Sequence, residues 1–316
     1  MEGSAPGIMG EPRPMANARL WWRTVRPVAY PASIIPVLFG IALAWDEGFP
    51  IRFGLAFLTL VGAVAIHTAS NLLSDYFDFR TGLDRPGTHG GSGVLVERLL
   101  KPGDVLWAAF VSFLVAGAAA AILVLHAGMT LLWLVIAGFI AGVGYSVPSI
   151  GYKYRALGDV AVFTAFSLGI TMGSYYIQTQ SFAADALLSA IAFGFLVVSI
   201  LHANNMRDME DDQSAGLRST AVRLGVTGSK VYFVMLLAGA YVLLIAAVAF
   251  ASLSSGALAV LIVVPMAWRL ARDVWRSPIG WQAVVAHTVE RSAMHALFFG
   301  VALLWGIVAW KLLIEM

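Results

Sequence analysis

The sequence predicts an all-α integral membrane protein with nine transmembrane helices, and three observations carry that prediction. Hydrophobic residues make up 59% of the 316-residue chain and charged residues 12%, with a mean hydropathy of +0.82, which leaves too little polar surface to clothe a soluble globule. Apolar, charge-free segments recur along the chain, several of them close to the ~20 residues that a spanning helix needs. Finally, the basic residues gather on one side of the arrangement those segments imply.

Taken in order, the segments cover about residues 27 to 45, 53 to 70, 105 to 125, 129 to 147, 160 to 177, 186 to 203, 231 to 251, 256 to 268 and 293 to 310. Before the first, "MEGSAPGIMGEPRPMANA" contains Pro and Gly but no apolar core of the signal-peptide kind, so residues 1–18 are expected to be a disordered cytosolic tail and residues 19–316 a single transmembrane domain. The seventh and eighth segments are one apolar run split by "SLSSG", a polar small-residue break that reads as a turn.

An odd number of spans places the N-terminus and the loops after helices two, four, six and eight on one face. On it fall Arg13, Arg19, Arg23 and Arg26, then Arg80, Arg85, Arg98 and Lys101, then Lys153 and Arg155, then Arg207, Arg218, Arg223 and Lys230, and last Arg269, Arg272, Arg276 and Arg291. Of the 20 basic residues only Arg52 and Lys311 lie opposite. By the positive-inside rule this face is cytosolic, in a multi-pass protein of the inner, cytoplasmic membrane. Absence of cysteine excludes disulfides and thiolate metal sites. A net charge of +2, with no basic patch interleaved with aromatics, argues against a nucleic-acid partner and leaves membrane lipid.

Two acidic clusters stand out against this background. "NLLSDYFDFRTGLD" closes the second helix, where the spacing of Asn71, Asp75 and Asp78 predicts one stripe on a helix face, with Asp84 in the following loop. "HANNMRDMEDD" closes the sixth helix with Asn204, Asp208 and Asp212 four apart, flanked by Asn205, Arg207 and Asp211. A lone carboxylate in hydrocarbon costs about 2.5 to 3.5 kcal/mol even on lenient scales, so such groups need a cation or water. One cluster alone is as well explained by a solvated helix end. Two matched clusters on one face, built of carboxylate and amide oxygens, suit Mg²⁺ shared with a diphosphate. Arg26, Arg80, Lys153, Arg155 and Arg207 lie at cytosolic helix ends, where cations can neutralise diphosphate oxygens.

Those two motifs resemble the paired aspartate-rich motifs of the UbiA superfamily of intramembrane prenyltransferases, most of all its 1,4-dihydroxy-2-naphthoate polyprenyltransferase branch, which serves menaquinone biosynthesis. "RPVAYPASIIPVLFGIALA", "VLVERLLKPGDV", "YKYRALGDV" and "NNMRDMEDDQSAGLRSTAVRLG" extend the likeness over nearly the whole chain. The resemblance implies a central cavity, a cytosolic cap formed by the loops after helices two and six, and transfer of a polyprenyl group from its diphosphate to an aromatic acid. It matches Asn71, Asp75, Asp78 and Asp84 to the first motif, Asn204, Asn205, Asp208 and Asp212 to the second, and Lys153 to the basic residue before helix five. Ser74 departs from it, standing where the family commonly has asparagine.

On this reading Asp75, Asp78, Asp208 and Asp212 hold Mg²⁺, with Asn71, Asn204 and Asp84 as direct or outer ligands. Lys153, Arg155 and Arg207 serve the diphosphate, although Arg207 is equally placed to pair with Asp211 within its helix. Tyr145, Tyr152, Tyr154 and Phe79 are candidates to line the pocket of the prenyl cation, against the plainer role of interfacial aromatics. "THGGSG" lacks the ending of a phosphate loop and reads as a mobile cap segment. His67 and His202 are more simply explained as histidines satisfied by a neighbouring helix. The rival readings are prenyl transfer to 4-hydroxybenzoate or homogentisate, terpene cyclisation without an acceptor, a non-catalytic isoprenoid-binding protein, and a cation-coupled transporter, which is expected to place its polar groups nearer the midplane.

The topology is directly testable. Reporter fusions are expected to place Thr88 and Ser214 in the cytosol and Met316 across the membrane, and a cytosolic Met316 overturns the nine-span count.

Overall fold

Proline sets several helix starts. Pro14, Pro31 and Pro102 each open a helix, where a missing N–H is no loss and the fixed φ suits the first turn: α1 (Pro14–Val25), α2 (Pro31–Asp46) and α4 (Pro102–Ala127). Between α2 and α4 lies α3 (Phe53–Thr81), and after them α5 (Met129–Ser146) and α6 (Gly158–Val162). A π-helical stretch, Phe163–Gly169, carries α6 into α7 (Ile170–Thr179). The chain ends with α8 (Ala184–Arg207), the short α9 (Met209–Ser214), α10 (Thr220–Phe250), α11 (Val264–Arg276) and α12 (Gln282–Glu315). The computed structural model describes residues 14–88, 91–147, 151–250, 253–277 and 282–315, and no strand occurs among them.

Six helices are long and apolar enough to cross a bilayer, or seven when α1 and α2, bent by 54°, form one broken span. The expected spans therefore fall on helices, but unequal ones. The fourth is a shorter apolar helix, Met129–Tyr145. The eighth, expected over 256–268, is divided between a 3-10 stretch, Ser255–Val263, and α11. Gly256 lies in that stretch against Gly306 of α12, backbone to backbone, with no room for a Cβ on either. Helix α1 begins inside the interval expected to be tail, and residues 1–13 lie outside the described residues.

Helix α8 is the axis of the bundle: 72% of its apolar window is buried, against 22% for α4 at the periphery. It packs on α10 and α12, and its Phe193 and Leu196 share a core with Phe39 of α2, Phe233 of α10 and Phe299 of α12. In lipid, where hydrophobic burial between helices gains little, close approach through small residues does the joining. Gly40 of α2 shows it. A Cβ there meets Thr171 O at 2.6 Å and Tyr175 N at 2.7 Å on α7, and across the same contact Ser174 Oγ donates to Val37 O at 2.7 Å.

Two glycines shape the end of the bundle that carries both motifs. Gly82, at φ 75°, stops α3 by donating its N–H to Asp78 O and Phe79 O, and the turn brings Asp84 back over the helix end, its own N–H on Asp78 O at 3.1 Å. Gly225, at φ 65° and ψ −177°, breaks α10 one turn after its start, a conformation open to glycine and strained for any other residue.

Overpacking a well-fitted contact costs about 1 to 3 kcal/mol. Gly40→Val is therefore expected to lower the thermal stability of the detergent-solubilised protein clearly, whereas Gly54→Ala, at a position with nothing within 4 Å, leaves it nearly unchanged. Size-exclusion profiles after graded heating measure both.

Candidate active site

The two acidic motifs, more than 100 residues apart in sequence, meet in one cavity of about 440 Å³, a size typical of small-molecule sites. Its polar end is lined by Asn71, Ser74 and Asp78 from α3, Asp84 from the following loop, Asn204, Asn205, Arg207 and Asp208 from the end of α8, and Asp211 and Asp212 from α9. Arg26, Tyr145 and Lys153 complete it. The opposite wall is apolar, built from Ala32, Ala141, Phe166, Val197, Ile200 and Ala293.

The first motif faces the cavity differently from the expected stripe. At ~100° per residue, Asn71, Ser74 and Asp78 lie within about 60° of one another, and this trio lines the cavity. Asp75 falls to the side, 2% exposed, ion-paired with Arg26 and accepting the Ser92 N–H at 3.1 Å. Ser74, the departure from the family pattern, is thus a lining residue. Its hydroxyl donates to Asp78 Oδ2 at 3.0 Å and accepts from Lys153 Nζ at 2.8 Å.

Three of the carboxylates are each met by one cation. Lys153 Nζ reaches both Asp78 oxygens at 2.6 Å, Arg26 takes Asp75, and Arg207 grips Asp208 with two bonds, Nε to Oδ1 at 2.7 Å and Nη2 to Oδ2 at 2.8 Å. Arg207 therefore serves its direct neighbour and not Asp211, because the two adjacent side chains at the end of α8 present matching forks. Arg26 holds a left-handed backbone, φ 53°, at the bend before α2, the kind of conformation that persists at functional sites because the surroundings impose it.

The acids outnumber these partners. Asp78, Asp84, Asp208, Asp211, Asp212 and Glu290 line the cavity against Arg26, Arg85, Lys153 and Arg207. Burial first, then the like charge of Asp78, pushes the Asp84 carboxyl up to about 6. Burial does the same to Asp212, also to about 6, with Asp208 adding and the Ser219 hydroxyl opposing. A crowded, oxygen-only donor set with surplus negative charge fits a hard divalent cation. Among the described residues no three of these side chains form a ready-made metal cage, consistent with carboxylates turned toward Arg26, Lys153 and Arg207.

Other expected residues divide. Tyr145 lines the cavity, with Lys153 Nζ 6.0 Å from its ring centroid. Tyr152 lies against Gly144, and Phe79 packs with Leu72 and Val94 in a separate apolar cluster. The side chain of Tyr154 lies outside the described residues. Arg80 and Arg155 are exposed, and neither is among the described residues lining the cavity. His67 bonds Ser33 Oγ of α2 through Nδ1 at 2.6 Å, and His202 bonds Ser229 O of α10 through Nε2 at 3.1 Å, while its Nδ1 faces Asp159 at 4.0 Å without a hydrogen bond. His67 also touches the cavity.

The mobile cap segment expected over Thr88 to Gly93 falls partly outside the described residues, and its described end packs against the first motif. His89 and Gly90 lie outside the described residues, but Gly91, at φ 60°, is wedged between Asp84 and Asp75, with no space for a Cβ. Beyond Ser92, Val94 and Leu95 are buried with Leu72 and Val105. Sequence reasoning also missed Glu290, which reaches the cavity from α12, and Arg85, whose Nη2 donates to Ser214 Oγ at 3.2 Å and ties the loop after α3 to α9. A charge at the cavity end of the last span was the available signal for Glu290.

Comparison with known proteins agrees with this geometry. The chain is 28% identical over 297 residues to the 1,4-dihydroxy-2-naphthoate octaprenyltransferase of Escherichia coli, covering 90% of this chain and 95% of that protein. It is 34% identical to the enzyme of the same name from Haemophilus influenzae, over 69% of this chain and 73% of that one. The UbiA prenyltransferase domain-containing protein 1 of Mus musculus is 33% identical over 79% of this chain and 74% of its own length. Among solved structures, an apo UbiA homologue from Aeropyrum pernix K1 shares the fold at a TM-score of 0.66 and 16% identity, over 87% of this chain and 96% of that one. One from Archaeoglobus fulgidus, bound to GPP and Mg²⁺, shares it at 0.57 and 15%, over 90% and 99%. The UbiA prenyltransferase family matches residues 33–278, so the chain belongs to that family and is a membrane prenyltransferase.

Proposed function

We propose that this prenyltransferase moves a polyprenyl group from polyprenyl diphosphate to 1,4-dihydroxy-2-naphthoate, with loss of carbon dioxide, using Mg²⁺. The carrying observation is the two-ended cavity, acidic and cation-rich where the motifs meet and apolar opposite. The Escherichia coli and Haemophilus influenzae relatives named for that acceptor support its identity, and the Archaeoglobus fulgidus homologue with GPP and Mg²⁺ supports the donor and the metal.

Asp78, Asp84, Asp208 and Asp212, with the amide oxygens of Asn71 and Asn204, would hold Mg²⁺, and Asp75, now paired with Arg26, is the further carboxylate of the first motif that would reach it. When bound, the metal neutralises charge on the departing diphosphate and so eases cleavage of the allylic C–O bond. Arg26, Lys153 and Arg207, now on carboxylates, exchange part of those contacts for diphosphate oxygens and hold the leaving group in place. Asn205 lies beside them. Phe166 and Tyr145 offer aromatic faces to the allylic cation, and the Ala, Val and Ile wall keeps water from it. The acceptor carries a hydroxyl beside its carboxylate. With that hydroxyl deprotonated, the ring attacks through the carboxylate-bearing carbon, a C–C bond forms, and carbon dioxide leaves as aromaticity returns. Lys153 is the candidate cation for that carboxylate, a role that competes with its hold on the diphosphate. Arg155, exposed and off the cavity lining, is set apart from this role by its position.

The membrane arrangement we propose has nine spans, with this cavity facing the cytosol in the inner membrane. The broken α1–α2 pair, α5 and the run from Ser255 to Arg276 supply three spans beside the six long helices, and the loops joined by Arg85 and Ser214 form the cap.

Removing one preorganised electrostatic group typically costs about two to three orders of magnitude in kcat. Asp78→Ala and Asp208→Ala are each expected to lose that much while remaining folded in the membrane, and the double variant little more, because the residues act as one unit. Full turnover in excess chelator, or substantial activity in either variant, removes the metal mechanism. For the acceptor, carbon dioxide is expected in equal amount to prenylated product. Prenylation with the carboxylate retained, or a cyclic hydrocarbon made without acceptor, overturns that part alone.

A further inference from the structure

Helix α11 has a second face that the reaction does not use. Ala267, Leu270 and Val274 are buried against the bundle. On the other side Arg269, Arg272 and Arg276 recur at helical spacing within ~60° of one another, all exposed, and Trp268 and Trp275 lie along the same side at 69% and 56% exposure. Among the described residues one carboxylate pairs within this patch: Asp273, which accepts from Arg272 at 3.2 Å and from Arg291 of α12 at 2.9 Å. Arg269 and Arg276 have no acid within ion-pairing distance among the described residues. The last turn is held in place by Lys230, whose Nζ donates to Trp275 O at 3.3 Å and to Ser277 O at 2.7 Å.

The position of this stripe is defined by its neighbours. Arg291, which meets Asp273, follows Glu290, which lines the cavity. The basic stripe therefore sits at the cavity end of the bundle, on its outer surface, at the end of an apolar run. Tryptophans beside guanidinium groups at such a level fit the headgroup region, where an indole bridges apolar and wet surroundings and a cation reaches phosphate. Membrane orientation alone requires the positive charge. The tryptophans mark the interface level, and Arg269 and Arg276, with no acid within ion-pairing distance among the described residues, supply charge free to meet phosphate.

We propose that the outer face of α11 is a binding site for anionic phospholipid headgroups, with Arg269, Arg272 and Arg276 on the phosphates and Trp268 and Trp275 seated at the acyl boundary. A cation close to an anionic leaflet contributes about five-fold in local affinity, the equivalent of ~1 kcal/mol, so three arginines enrich such lipid strongly over a zwitterionic one. The site is independent of the reaction, and its test reads no turnover.

The full-length protein is placed in phosphatidylcholine nanodiscs containing brominated phosphatidylglycerol or, at equal mole fraction, brominated phosphatidylcholine, and tryptophan quenching is recorded. The signal of Trp268 and Trp275 is isolated by difference from the W268F/W275F variant. Quenching by the brominated anionic lipid is expected to exceed that by the zwitterionic one, to fall toward it as salt is raised, and to lose the excess in R269Q/R272Q/R276Q. Equal quenching by the two lipids in the parent protein overturns the proposal, as does an anionic preference untouched by salt. If the arginine variant fails to insert, the lipid comparison and salt series on the parent still decide. If it inserts and keeps the preference, the site is not these arginines.

Discussion

Everything in the structure serves one electrostatic constraint: carboxylates crowded at the ends of membrane-embedded helices must stay near cations. Lys153 on both oxygens of Asp78, Arg26 on Asp75 and the two-bond grip of Arg207 on Asp208 meet it. In the function proposed above, the same contacts hold the cations where a diphosphate would claim them. Stability without substrate and readiness for it thus rest on the same atoms, because a cation shared between two anions loses little by changing which one it faces.

The helix packing holds the two motifs opposite each other. Helix α8, buried along most of its length, carries the second motif out of the core on a helix with little freedom to turn. Behind that motif, Asp159 accepts from Asn205 Nδ2 at 3.4 Å and stands 4.0 Å from His202, so the back of the cavity wall is polar as well. On α3 the Gly82 turn folds Asp84 over the helix end, and Gly91 fits between Asp84 and Asp75 where a side chain has no space. Small residues thus act twice, in joining helices and in letting the backbone enter a crowded site.

The chain itself determined much of this. Apolar segment lengths and the one-sided basic residues specify a multi-pass helical membrane protein, since a bilayer leaves the backbone few other options. Paired motifs of Asp and Asn at helical spacing point to a cluster that needs cations, because such oxygens at a membrane helix end are costly alone. Lys153 and Tyr145, named from the sequence, line the cavity with them.

Tertiary structure decided what spacing leaves open. Positions three and four apart both lie near one helix face, so only the direction of the neighbouring helices selects Ser74 over Asp75 for the cavity and gives Asp75 to Arg26 and Ser92. Arg155, two residues from Lys153, is exposed off the cavity lining because a 3-10 turn, Tyr152–Arg155, presents the two side chains in different directions. Glu290 enters from a helix more than 200 residues after the first motif, and no local pattern records a contact of that range. The sequence by itself determined which chemistry lies at the end of the bundle; only the packing of its helices decided which atoms share the cavity.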